Sequence, residues 1–195
     1  MKRLLVIHRF PIVRYALIKL VEAHIVNVVV EDAATATLGL RRLRAANWDL
    51  VVAGLSFGSR SGLEFLKMIK ALRPNMSVLV FSSHSEEMYA HRSFKAGAAG
   101  YLTMGSSHDE VVHAIKTVLA GAHYVSPQVA PRVLDSPRAL SDREFEVMRL
   151  LASGKTVSEI ASLLSLSVRT IRTSRTRIVH KLAMQTDVQA RPLRQ

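Results

Sequence analysis

The chain is expected to fold as an α/β unit, a doubly wound five-stranded parallel sheet, followed by a small all-α unit. Three observations predict this. Apolar runs at Arg3 to Ile7, Val26 to Val30, Leu50 to Ala53, Val78 to Phe81 and Gly100 to Leu102 are separated by amphipathic segments. That alternation is the pattern of βα repeats, whose strands are buried on both faces and therefore read as continuous apolar runs. Beyond Leu140 the pattern changes to short helices with cap residues at their starts. Between the two regions, Ser126 to Pro137 (SPQVAPRVLDSP) has the proline spacing of an ordered, non-helical linker. The expected division is 1–125, a linker at 126–138, and 139–195.

In the C-terminal region, Ser141 stands three residues before Glu144 and Thr156 three before Glu159, each pair spaced for a capping box. The first helix is expected from Asp142 to Ala152, with Phe145, Val147, Met148, Leu150 and Leu151 as its apolar stripe and Gly154 as its stop. A second runs from Val157 to about Leu164, with Val157, Ile160, Ala161 and Leu164 at helical spacing. The tight link Ser165-Leu166-Ser167 leads to a third helix from Val168 to Leu182, with Ser167 as N-cap. On it Ile171, Ile178 and Leu182 share one stripe, while Arg169, Arg172, Thr173 and Thr176 share another. Long cations that reach phosphates or guanine N7 and O6, beside threonines that touch thymine methyls, are the chemistry of major-groove readout. A solvated basic face is the bland alternative; two capped helices and a three-residue turn just upstream favour the groove-reading one.

Composition narrows the remaining classes. The net charge is +12, and residues 168–194 hold seven basic residues and one acidic, which concentrates positive potential on the third helix and tail. No cysteine is present, so disulfides, thiolate metal sites and thiol nucleophiles are excluded and no oxidising compartment is required. The cytoplasm is the default location. Lys2 and Arg3 before LLVI could mimic a signal peptide, but Arg9, Pro11, Arg14 and Lys19 interrupt any apolar core of the needed length. No apolar run reaches the length of a membrane span.

The segment Leu140–Leu182, LSDREFEVMRLLASGKTVSEIASLLSLSVRTIRTSRTRIVHKL, resembles the LuxR-type helix-turn-helix of NarL/FixJ-family response regulators. The resemblance implies that the third helix enters the major groove. It places Arg172, Thr173 and Thr176 at base-contacting positions and Arg169, Arg175 and Lys181 at phosphate-contacting ones. The family has one more helix for dimer contacts; here Pro192 would interrupt a helix begun near Thr186, which departs from that pattern.

The N-terminal half resembles the receiver domain of the same family, a flavodoxin-like fold, in WDLVVAGLSFGSRSGLE, VLVFSSHSEE and the GAAGYL of Gly97 to Leu102. The resemblance implies an acidic pair after the first strand to hold Mg²⁺, an Asp acceptor ending the third, a Ser or Thr after the fourth and a Lys after the fifth. In this chain those positions carry His8 and Arg9, Gly54, Ser82, and Met104. Phosphoryl transfer to a carboxylate needs the carboxylate and oxygen ligands for a hard cation, so a degenerate, non-phosphorylatable pseudo-receiver is expected. Asp49 opens the third strand rather than ending it, and is no displaced acceptor. Arg9 either stands in for the metal ion by pairing with an acceptor or is simply exposed at a strand end, the plainer reading. Ser82 and Tyr101 match the receiver's switch pair; either they retain an exchange between states, or, more plainly, Ser82 caps a loop and Tyr101 packs.

No cofactor or metal site is expected. No two of the eight histidines stand at i, i+4, and His108 and His113 are five apart. His8 and His84 lie at the ends of strands that converge in this fold. The glycines at 97 and 100 suit a turn, not a phosphate loop. The chain is thus expected to be a DNA-binding transcriptional regulator and no enzyme, acting independently of Asp phosphorylation on double-stranded DNA. A homodimer is expected, with the helices near Glu86–Ala96 and Asp109–Ala120 as surfaces implied by the resemblance. The alternative is an interaction module whose pseudo-receiver binds another regulator, a kinase or RNA polymerase, with weak or heterodimeric DNA binding.

Overall fold

The structure is a computed structural model that describes residues 1–57, 60–126 and 140–189. The chain forms two compact units, Met1–Asp135 and Ser136–Gln195. Apart from Ser126, the expected linker lies outside the described residues.

In the first unit the strands are β1 (Lys2–Ile7), β2 (Val28–Ala33), β3 (Leu50–Ala53), β4 (Ser56–Phe57), β5 (Arg60–Ser61), β6 (Val78–Ser82) and β7 (Gly100–Thr103). The helices are α1 (Pro11–His24), α2 (Ala36–Ala45), α3 (Gly62–Leu72), α4 (Glu86–Lys95) and α5 (His108–Leu119). Five strands form one parallel sheet in the order β2-β1-β3-β6-β7, so the doubly wound fold class holds. Because side chains alternate along a strand, Leu4, Val6, Leu50, Val52, Leu79 and Leu102 face one core, closed by Leu17 and Val21 of α1 and by Val111, Ala114, Ile115 and Val118 of α5. Leu5, Ile7, Val51 and Val80 are equally buried in the alternate register. On their side Gly39 lets α2 come down onto Ile7, where an added Cβ would stand 2.7 Å from Cδ1.

The second strand differs from expectation. Val26 is exposed and Asn27 adopts the left-handed conformation (φ 55°), its carbonyl accepting from Lys2 N at 2.8 Å, so pairing with β1 begins only at Val28. The strand continues through Glu31 and Asp32 because their charges are matched: Glu31 by Arg3 and Arg42, Asp32 by Arg14. Asp49 opens β3 as expected, paired with Lys2 at 2.9 Å and accepting from Arg3 N at 2.8 Å, contacts that hold its carboxyl below the usual range. The antiparallel pair β4 and β5 is an addition to the expected elements. It brings the chain back so closely that a Cβ on Gly62 would meet the Leu55 backbone at 2.2 Å.

The second unit contains α6 (Asp142–Ala152), α7 (Val157–Leu163) and α8 (Val168–Gln189). Both capping boxes form: Ser141 with Glu144, and Thr156 with Glu159. α6 ends in a Schellman turn on Gly154 (φ 81°), with Lys155 N donating to Leu150 O at 3.2 Å. α7 ends the same way without a glycine: Ser165 takes the left-handed position (φ 52°) and Leu166 N donates to Ala161 O at 2.9 Å. The third helix is longer than expected. No helix begins near Thr186, because Ala183 to Gln189 carries no proline or glycine to break α8; Pro192 lies outside the described residues. Phe145, Val147, Leu150, Ile160, Ala161, Ile171 and Ile178 are buried and form the core of this unit.

Ser165→Val should lower the melting stability of the C-terminal unit by about 1–2 kcal/mol, because a β-branched residue is penalised in the left-handed region. Ser165→Gly should not lower it. Thermal melts followed by circular dichroism would show the opposite responses.

Candidate nucleic-acid interface and carboxyl-edge pocket

The two caps, the Schellman turns and the buried Ile160–Ile171–Ile178 set fix how α8 is presented. Ser167 starts it by accepting from Thr170 N at 3.0 Å. Arg143 ties α6 to the end of α7, donating to Leu164 O at 2.8 Å while pairing with Glu146 at 3.1 Å. With Ile171 buried, the helical period turns Arg169, Arg172, Thr173 and Thr176 outward, and all four are exposed, as is Arg175 on the flank. The threonine hydroxyls are donated back along the helix, Thr173 to Arg169 O at 3.1 Å and Thr176 to Arg172 O at 3.2 Å. This orients each hydroxyl and leaves its lone pairs and the methyl for a partner. Lys181 lies on the α8 backbone, and its side chain is outside the described set. Arg177 is exposed too; its place one turn beyond Thr173 was legible in the spacing. Nothing anionic in the described part of this unit pairs with these α8 guanidinium groups.

At the carboxyl edge of the parallel sheet, His8 and Gly54 follow adjacent strands, with His8 N donating to Ala33 O at 3.0 Å and Gly54 N to Ile7 O at 2.9 Å. The His8 imidazole covers Gly54: a Cβ there would lie 2.5 Å from His8 Cδ2 and 2.9 Å from Nε2. His8 is 3% exposed. Burial lowers its pKa to about 4, helped by the nearby Arg14 and Arg9 charges. Phe10 N donates to His8 Nδ1 at 3.2 Å, which places the lone pair of the neutral ring there. Arg9 does not enter the pocket; it is exposed, its guanidinium 4.5 Å above the Phe10 ring. It therefore does not stand in for a cation in the pocket. Arg14 does turn inward, donating to Asp32 and, at 2.7 Å, to His8 O.

Met104 follows β7, is half-buried against the α1/α5 core and donates its N–H to Ser82 O at 2.9 Å. These residues do not fit Mg²⁺. The positions that would supply its hard oxygen ligands carry an imidazole, a guanidinium directed elsewhere and no side chain at all. Ser82 and Tyr101 are both buried. Ser82 Oγ accepts from His84 N at 3.2 Å, a loop-capping bond, and Tyr101 OH donates to His84 O at 2.9 Å. Burial raises the Tyr101 pKa. The His84 ring stacks on Tyr89 (centroids 4.4 Å) and its Nε2 lies 3.2 Å from Ser56 Oγ. His8 and His84 thus have different neighbours. Among the described residues no group of three or more His, Asp or Glu could hold a metal ion, and no helix is long and apolar enough to cross a membrane.

A five-stranded parallel α/β unit joined to a capped three-helix unit with a basic outer face defines a two-part regulator. The family model of the response regulator receiver domain matches residues 4–116, and that of the luxR family of bacterial regulatory proteins matches residues 138–192. Response regulator GacA of Pseudomonas aeruginosa is 34% identical over 160 residues, 77% of this chain and 75% of that protein. A crystal structure of a LuxR-family two-component response regulator from an Aurantimonas species is 32% identical and has a TM-score of 0.63; the match covers 68% of this chain and 94% of that one. RcsB of Salmonella enterica serovar Typhimurium, solved bound to the rprA promoter with a phosphomimetic, shares the fold at 22% identity, with a TM-score of 0.76 over 93% and 92% of the two chains. The chain belongs to the response regulators that carry a receiver domain followed by a luxR-type domain.

Since the pKa of His8 is depressed in the folded state, the unfolded chain binds the proton first as pH falls. The stability of the receiver unit should be complete above about pH 6.5 and fall as pH drops toward 4, by on the order of 3 kcal/mol at most. Denaturant titrations across this window should show that slope. His8→Asn, which keeps an acceptor for Phe10 N, should flatten it.

Proposed function

We propose that this chain is a sequence-specific, DNA-binding transcriptional regulator that acts independently of aspartate phosphorylation. The observation that carries the DNA reading is the outward stripe of α8, with Arg169, Arg172, Thr173 and Thr176 exposed together on a helix held by a capped helix and a tight turn. Arg172, Thr173 and Thr176 reach base edges in the major groove, while Arg169, Arg175 and Lys181 contact phosphates. The promoter-bound state of RcsB supports this use of the shared fold.

What supports phosphorylation independence is the His8 ring lying where an acceptor side chain at 54 would begin. A neutral imidazole, a glycine and Met104 supply neither nucleophile, cation ligands nor a charge to stabilise a phosphoryl group. We divide the chain functionally into a pseudo-receiver at 1–125, a linker at 126–138 and the DNA-binding domain at 139–195. The regulator acts as a homodimer on half-sites about one helical turn apart, with α4 and α5 as the pairing surface. RcsB, solved as two dimers on two parallel DNAs, supports an assembly of this kind.

Selection of bound sites from a random duplex pool at near-physiological salt should recover a defined motif with wild type. With Arg172→Ala or Thr173→Ala it should be lost or relaxed, each bidentate or methyl contact being worth roughly 1–3 kcal/mol of discrimination. Weak, strongly salt-dependent binding without a motif would instead favour the interaction-module function.

A further inference from the structure

His24 ends α1 and His108 begins α5; the two are 84 residues apart, and both are exposed. Their Nε2 atoms nevertheless face each other at 3.2 Å, with ring centroids 4.7 Å apart and planes at 80°. His24 Nδ1 lies 2.9 Å from Leu20 O. A carbonyl oxygen only accepts, so Nδ1 carries the proton and Nε2 of neutral His24 presents a lone pair toward His108. Among the described residues His108 makes no other ring hydrogen bond that would fix its tautomer in the opposite sense, so its proton can sit on Nδ1 and leave Nε2 a lone pair.

We propose that His24 and His108 form a two-histidine site for an imidazole-preferring divalent transition ion, represented by Zn²⁺. Zinc–imidazole bonds of about 2.0–2.1 Å placed on nitrogens with this separation enclose an angle of about 100°, within reach of tetrahedral coordination. Rings directed at one such ion have centroids about 5 Å apart, close to the separation here. The bond from His24 Nδ1 to a main-chain carbonyl is the outer-shell support that metal-bound histidines use to fix ring orientation and raise donor strength. Local charge is mixed: His24 stands at the negative, carboxyl end of α1 and Asp109 and Glu110 follow His108, whereas His108 itself lies at the positive, amino end of α5. Water fills the remaining coordination positions. In the metal-free protein the same pair is closed by a single N–H···N bond from His108 to His24. When the ion binds, that proton passes through solvent to His108 Nδ1, Nε2 takes the ion, and α1 is clasped to α5 across the face of the receiver unit that buries the α1/α5 core.

The test is isothermal titration of the full, untagged chain with zinc chloride, run beside His24→Gln, His108→Gln and, as a control, His113→Gln. Both site residues are exposed, and melts of the metal-free proteins check that the variants remain folded. The expected result is one site of micromolar affinity in wild type and in His113→Gln, weakened at least tenfold in each of the other two, with a zinc-dependent rise in Tm that those two lose. Absence of binding up to millimolar zinc, or unchanged affinity in either His24→Gln or His108→Gln, would overturn the proposal. Neither result bears on DNA recognition by α8, which the site-selection experiment reads separately.

Discussion

The carboxyl edge of the receiver unit is arranged around one contact, the imidazole of His8 on the backbone of Gly54. Glycine leaves the space and histidine takes it, so the two identities depend on each other. A side chain at 54 could be accommodated only if the ring left, and a buried ring that left would expose apolar strand ends and forgo its bond from Phe10 N. The neutral state of the ring follows from the same burial, and with it the lack of any demand for a cation. Arg14 is held by Asp32 and by main-chain oxygens and Arg9 lies over the Phe10 ring, and both positive charges stay near enough to disfavour protonation of His8.

Under the proposed function, this arrangement changes what the receiver unit is for. A cluster of carboxylates stores like-charge repulsion that a cation or phosphoryl group relieves, and that stored tension lets modification shift a two-state equilibrium. Among the described residues no such cluster is present here. Tyr101 is already inward with its hydroxyl on the His84 carbonyl, and Ser82 is engaged with the His84 amide, so the elements of a switch are held together by one loop residue. Under the proposed function, the unit would serve as a fixed scaffold and pairing surface, with recognition assigned to α8.

The fold was legible where local chemistry is decisive. Capping boxes announced α6 and α7 from residue types three apart, and continuous apolar runs announced β1, β3, β6 and β7 to within a residue or so of their ends. β2 was displaced because Glu31 and Asp32 read as loop until their arginine partners, distant in sequence, were in place. The β4–β5 pair was invisible because two-residue strands have no periodicity. The expected end of the third helix was set at Leu182, the last residue of its apolar stripe, whereas nothing in residues 183–189 stops a helix. In the pocket, residue identities could be read from position, but the ring of His8 on Gly54 and the meeting of His24 with His108 are tertiary facts that spacing along the chain does not encode.

The most direct measurement is intact-protein mass spectrometry of the full chain after incubation with acetyl phosphate and Mg²⁺, with DNA affinity measured on the same sample. The account predicts no phosphoryl mass gain and unchanged affinity. A stable gain of one phosphoryl group on the wild-type chain, accompanied by a change in DNA affinity, would contradict it.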